Sequence, residues 1–363
     1  MSANSIASRF PWTTELMLST IASNRSANVG VETVGSVTRR KARPGQDWVA
    51  CGSSPLPLPA VTDAADDARP GYLAIDLGPS RLTAGVVDTA GEVVLRDRVA
   101  TPPRNVWPAL TQLVRRVLAA NPTEVAPIAV GLTCPGPIDH GTGSMKPVGK
   151  PMWHDFPLRR ELSAITQLPV YLDTAGRGLA RAELWRGEFA TVDRVDQDFA
   201  TLSVGDEVDG ALVSGGVVLE GLTDNLGQFG HLIVEPDGAE CVCGAAGCLS
   251  AYASVRAIEA STGRELRRTP PARINNVGIM IARACASLAA MFDVAEIIVG
   301  GVVPEVLGPP LFDALAKEFE VRSSLPHLAS VRVRGVGSRQ IGPLVGAAAI
   351  ALAHHRPDAP APD

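Results

Sequence analysis

Gly227-Gln-Phe-Gly-His231, followed by Cys241-Val-Cys-Gly-Ala-Ala-Gly-Cys-Leu249, is the stretch on which the reading of this chain turns. It places one imidazole (His231) and three thiols (Cys241, Cys243, Cys248) within eighteen residues. Four soft or borderline ligands so closely spaced suit a closed tetrahedral zinc site, with no position left for water, so the metal would be structural. The spacer Gly244-Ala-Ala-Gly247 carries a glycine at each end, which lets backbone wrap round an ion. Three of the chain's six cysteines fall in this short span, which argues against scattered free thiols. Cysteines clustered at metal spacing fit a reducing cytoplasm better than a disulfide framework.

Glu235-Pro-Asp-Gly238 and Ala251-Tyr-Ala-Ser254 extend the same run. Together these segments resemble the signature of the ROK family (repressors, open reading frames, kinases), roughly Gly-Glu-x-Gly-His, then Cys-x-Cys-Gly-x-x-Gly-Cys-Leu-Glu. The resemblance runs from about Tyr72 to about Leu352. It implies the actin-like ATPase (ribonuclease H-like) fold: duplicated α/β domains, with nucleotide and sugar meeting in the cleft between them.

A length of 363 residues, 46% of them hydrophobic and 20% charged, allows two or three domains with a real core. A formal charge of −5 gives the whole surface no general attraction for nucleic acid. No apolar run reaches the roughly 18–20 residues that cross a bilayer, so no membrane segment is expected. The charges at Arg9, Glu15 and Arg25 do not frame a secretory signal. A cytoplasmic protein is therefore expected.

Composition divides the chain into an extension at 1–50, with a helical pattern at Thr13–Asn24, and a proline-rich acidic linker at 51–70. Strand patterns follow at Tyr72–Asp76, Leu82–Val87 and Val93–Arg98, then a helix at Trp107–Ala119 and a strand at Pro127–Leu132. An apolar helix at 276–291 leads to a strand at Glu296–Val299 and the pair Gly300-Gly301. The expected domains are 71–180, joined by a C-terminal helix at 343–354, and 181–342, carrying the metal loop 231–248. A disordered tail is expected at 355–363.

The resemblance can be followed position by position. The family's first phosphate loop is similar to Asp76-Leu-Gly78-Pro79-Ser80-Arg81, where Pro79 removes a glycine N–H. The family's Glu-Asn-Asp-Ala-Asn segment aligns without a gap, through Glu183-Leu-Trp185, onto Asp173, Thr174 and Ala175. Ala175 then stands where the catalytic aspartate belongs, and Asp173 is the fallback candidate in a gapped register. Without a carboxylate at the sugar hydroxyl, nothing accepts its proton during phosphoryl transfer.

The second loop, Gly205-Asp206-Glu207-Val208-Asp209-Gly210, carries three carboxylates where the family has threonine and glycines. These charges are expected to oppose phosphates, at about 1–4 kcal/mol each at 4 Å, and to form a solvated turn. Asp76, Gly78, Ser80, Gly205, Gly300 and Gly301 are thus vestigial nucleotide positions, and ATP is not expected as cofactor. Gln228 and Ser250 replace family glutamates, and Gly149 replaces an asparagine, leaving Thr174, Gln228 and His231 as ligand-binding candidates. Scaffold residues survive where chemistry residues do not.

ROK repressors carry a winged helix-turn-helix ahead of this body, and seventy residues precede Gly71 here. From Arg25 to Arg43 the net charge is +4, with Arg39, Arg40, Lys41 and Arg43 as candidate contacts to duplex DNA. Gly30 and Gly35 weaken a helix there. Three readings stay open. The first is a ROK-type regulator whose inactive kinase-like body senses a sugar or sugar phosphate and forms a homodimer. The second is an inactive ROK-fold binding protein, and the third an active sugar kinase.

Overall fold

The computed structural model describes residues 68–78, 80–337 and 342–356. The expectations for 1–50, including Arg39, Arg40, Lys41 and Arg43, for the linker up to residue 67, and for Pro79 lie outside these residues.

Each of the two main sheets has five strands in the same order. The first begins with β1 (Arg69–Leu77), β2 (Arg81–Asp88) and β3 (Val93–Ala100), paired antiparallel. Helix α1 (Val106–Ala119) crosses to β4 (Val125–Thr133), which lies parallel to β1. A small hairpin, β5 (Ile138–Asp139) and β6 (Ser144–Met145), and helix α2 (Leu158–Thr166) lead to β7 (Val170–Asp173), parallel to β4. The order is β3-β2-β1-β4-β7. The central strands are near-continuous apolar runs because both faces are covered. Leu110, Leu113, Val114 and Val117 of α1 fill one face at helical spacing.

Helix α3 (Ala175–Arg186) follows β7, and then the pattern repeats. Strands β8 (Phe199–Val204), β9 (Val208–Ser214) and β10 (Val217–Val218) are antiparallel, while β11 (Glu296–Gly300) runs parallel to β8 and β12 (Arg332–Gly335) parallel to β11. The order is β10-β9-β8-β11-β12. Between β10 and β11 stand the cysteine loop and helices α4 (Ser250–Ala253), α5 (Val255–Thr262) and α6 (Pro271–Phe292). Helices α7 (Val302–Leu307) and α8 (Pro309–Arg322) precede β12. Helix α9 (Pro343–His354) packs on β1, β4, β7 and α3. It is apolar on all sides because it is enclosed, with Ala347, Ala348, Ile350 and Ala351 fully buried.

Several boundaries differ from those expected. Arg69 and Pro70, read as linker from composition, already pair with Val125 and Ala126 in β1. Pro70 is tolerated because it sits at the start of the strand. A division at 180/181 would cut α3, whose Ala180 packs toward Phe199 of the second sheet while Ala182 packs against Val345 of α9. His355 and Arg356, read as tail, are tied back: the His355 amide donates to Ala351 O at 2.7 Å, and Arg356 donates to Ala353 O at 3.1 Å. Residues 357–363 lie outside the described residues. Helix α6 is long and apolar enough by composition to cross a bilayer, contrary to the expectation from its sequence. It is a core helix here: Val277, Ile281 and Leu288 are fully buried in the second core, and Arg283 pairs with Glu235.

Candidate functional site

Parallel strands collect their C-terminal ends along one edge, where ligands of open α/β sheets bind. In the first sheet that edge holds Asp76 opposite Thr133, and Thr133 opposite Asp173. Thr133 Oγ1 donates to Asp76 at 2.7 Å, and burial raises the Asp76 carboxyl to about 6 despite that bond. Gly78 and Ser80 follow, their carbonyls held by Thr101 Oγ1 at 2.8 Å and the Thr101 amide at 3.1 Å. In the second sheet Gly205 follows the last residue of β8, and Gly300-Gly301 closes β11. The residues aligned with the family's nucleotide loops therefore lie at strand ends in both sheets.

Asp173 is 1% exposed and fully engaged. Arg177 Nε lies 2.9 Å from its Oδ1, Arg181 Nη1 lies 3.4 Å from Oδ2, and the Thr174 amide donates to Oδ1 at 2.9 Å. Two guanidinium groups occupy this carboxylate, so its geometry does not suit a base at a sugar hydroxyl. Neither arginine was expected from the sequence. The i, i+4 spacing of Asp173 and Arg177 was the available signal, and the strand–helix junction between them masked it. Arg181 also donates to His354 Nε2 at 2.8 Å, which joins this edge to the end of α9. Burial holds His354 below the usual histidine range, consistent with a neutral acceptor.

Ala175 opens α3 with no polar side chain, and the Thr174 side chain makes no cap bond. The vacant cap is filled from the other sheet: Asp209 of β9 accepts the Gly176 amide proton. A Cβ on Gly176 would stand 2.4 Å from Gly210 Cα, so only glycine lets the helix end meet β9. Burial pushes the Asp209 carboxyl up to about 7. Its neighbours in the β8–β9 turn are also engaged. Lys150, from the loop after β6, lies 2.9 Å from Asp206 Oδ2 and 3.2 Å from Glu207 Oε1. The expectation of a solvated acidic turn is therefore corrected: one acid caps a helix in the interior and the other two share an ion pair with one lysine. Sequence distance hid that lysine, since nothing local marks Lys150 as the partner of residues 206 and 207.

Of the ligand candidates, Thr174 and Gln228 are brought together. A Cβ built on Gly136 would meet Gln228 Nε2 at 2.9 Å and Thr174 Cγ2 at 3.1 Å. His231 is directed instead to the cysteines, with Nδ1 3.8 Å from Cys241 Sγ, while Cys243 and Cys248 sulfurs lie 3.8 Å apart. The four ligand atoms all fall within 4.8 Å of one another. Bonds of about 2.3 Å to a central zinc would set tetrahedral edges of about 3.8 Å, the length of the two contacts above, so the donor set fits such an ion. Gly247 supports the loop at φ 78°, where a Cβ would collide with Glu235 O at 2.0 Å. Burial lowers the His231 pKa, which favours the neutral, ligating imidazole.

The ROK family model matches residues 72–354. This chain belongs to the ROK family. The duplicated sheets are its actin-like fold. The chain is 30% identical over 193 residues to a glucokinase of Halalkalibacterium halodurans, a match spanning 52% of this chain and 57% of the relative. It thus spans little over half the length of that curated relative. An N-acetylmannosamine kinase of Shigella boydii is 30% identical over 302 residues, 77% of this chain and 97% of that one. Among solved structures, a ROK hexokinase from Thermus thermophilus has a TM-score of 0.62 at 27% identity, covering 78% of this chain and 98% of its own. A ROK family transcriptional regulator, a homologue of the E. coli MLC protein, has a TM-score of 0.60 at 21% identity over 78% of each chain, a likeness of fold alone.

Proposed function

We propose that this ROK protein is a cytoplasmic transcriptional regulator whose kinase-like body binds a sugar or sugar-phosphate effector without phosphorylating it. The observation that carries the reading is the start of α3. Ala175 offers no base, Asp173 is locked between Arg177 and Arg181, and the second-loop acids face inward or pair with Lys150. Gln228, whose side-chain amide adjoins Gly136, supplies a hydrogen-bonding group for a hydroxyl-rich ligand, and the Thr174 methyl faces the same glycine. The body would serve sensing and homodimerisation, and residues 1–50 would contact duplex DNA.

Binding to duplex at low salt tests the regulator reading. Replacing any one of Arg39, Arg40, Lys41 or Arg43 by alanine should lower the slope of log K against log salt by about 0.9, as expected when one phosphate is no longer neutralised. Full-length protein that fails to shift duplex at low salt would leave the inactive binding-protein reading in its place. An active sugar kinase is the third reading, favoured by the named kinases among the relatives and by the Asp209 carboxyl bonded at the start of α3, beside Ala175.

Structural zinc held by His231, Cys241, Cys243 and Cys248 belongs to the same proposal. Protein prepared without chelator is expected to carry about one zinc per chain, and Cys248→Ser to lose most of it. Metal analysis finding no zinc in the unsubstituted protein defeats this assignment.

A further inference from the structure

Lys150 is the only described residue that forms ion pairs with the β8–β9 turn. The loop that carries it is anchored in the first core through Met145 and Trp153, both buried there. Its partners, Asp206 and Glu207, belong to the second sheet's first turn. The ion pairs therefore connect elements rooted in two separate cores. Lys150, Asp206 and Glu207 side chains are about one-quarter exposed. Such a site is desolvated enough for charge to matter and open enough for salt to reach.

The surroundings reinforce the contact. Gly149 leaves room for Val242, since a Cβ there would lie 2.6 Å from Val242 Cγ2 and 3.3 Å from Arg256 Nη1. Val242 stands between Cys241 and Cys243, so the metal loop rests directly against the lysine loop. Burial raises the Glu207 carboxyl, and Lys150 opposes that rise. For Lys150 itself, burial works downward but Glu207 and Asp206 outweigh it, and the ammonium is held above its ordinary value. Both partners thus stabilise each other's charged form.

Building on the non-phosphorylating reading above, we infer that Lys150, Asp206 and Glu207 form a charge-paired gate that ties the two α/β halves together and excludes polyphosphates from the cleft. The lysine occupies the carboxylates that would otherwise draw a cation, and the carboxylates occupy the one lysine that would otherwise draw a phosphate. An uncharged polyhydroxy ligand disturbs neither. A nucleoside triphosphate must break the pairs and then stand beside two freed acids. Arg256 flanks the gate and leaves the balance near neutrality while the pairs are intact.

The test uses the full chain with its metal, titrated calorimetrically with a non-hydrolysable ATP analogue and magnesium at about 0.1 M salt. Unsubstituted protein is expected to bind the analogue weakly or not at all. Asp206→Asn/Glu207→Gln removes the repulsion and frees Lys150, and should tighten binding at least about tenfold. Adding Lys150→Met to that double variant should abolish the gain. Hydrogen exchange provides the second readout: Lys150→Met alone should increase exchange in residues 146–150 and 205–209 at least about threefold, as should about 0.5 M salt in the unsubstituted protein. Equal analogue binding by the unsubstituted protein and the double variant overturns the gate, as does unchanged exchange in Lys150→Met. Hexose phosphorylation by the unsubstituted protein would instead overturn the non-phosphorylating reading, a result visible in a separate turnover assay.

Discussion

With ATP, magnesium and either glucose or N-acetylmannosamine, the protein is expected to release ADP no faster than the uncatalysed background. A positioned general base contributes about 10²–10⁴-fold to proton transfer, and residue 175 cannot supply one. Ala175→Asp alone should not restore turnover, because a second carboxylate would compete with Asp209 for the same helix end. Ala175→Asp/Asp209→Gly, combined with Asp206→Asn/Glu207→Gln, relieves both that competition and the charge facing the phosphates. That quadruple variant should gain at least about 10²-fold over the parent protein. A parent rate of about 1 s⁻¹ or more, ordinary for a kinase, would refute the inactive reading. Should Asp209→Ala then abolish that rate, the carboxylate from β9 would be the base in place of residue 175.

Asp209→Asn should stabilise the protein at pH 8 by up to about 4 kcal/mol. The folded-state pKa is about 7 against an ordinary value of 3.8, roughly three units at about 1.36 kcal/mol each. Between those values the native carboxyl keeps a proton that the unfolded chain has released. The associated stability is therefore fully present below about pH 3.8 and is lost as pH rises through about 7. A helix N-terminus returns at most about 2 kcal/mol to an anion, less than burial costs here. Asparagine keeps an oxygen for the Gly176 amide and carries no charge to desolvate. Urea midpoints measured from pH 4 to 8 should converge for the two proteins at the acid end and separate toward pH 8. Parallel curves would show that Asp209 is not the group responsible.

The two outcomes are linked by the same residue, whose position could not be read from its neighbours. In the sequence Asp209 is one of three acids in a polar turn. In the fold it points from β9 to the first turn of α3, a connection between positions 176 and 209 that no local pattern announces. Lys150 and the pair Asp206 and Glu207 are separated still further along the chain. Their charges were legible and their pairing was not.

Local chemistry, by contrast, was readable wherever ligands or periodicity lay close together. His231, Cys241, Cys243 and Cys248 are near one another in sequence and converge in space, because two short turns suffice to gather them. The strands from Tyr72, Leu82 and Val93 and the helix from Trp107 were marked by apolar runs of the right period, and each extends only slightly beyond its expected limits. Helix α6 was expected as an apolar helix and not as a bilayer span, although an enclosed core helix and a bilayer span bury the same residue types. Residue identities and their spacing were enough to specify the family, the duplicated α/β architecture and the candidate metal ligands. The state of the remaining charges emerged from the packed molecule: which carboxylate is paired, which is buried, and which lysine joins the two cores. Those states depend on burial and on distances between residues remote in sequence, and both arise only when the two sheets pack.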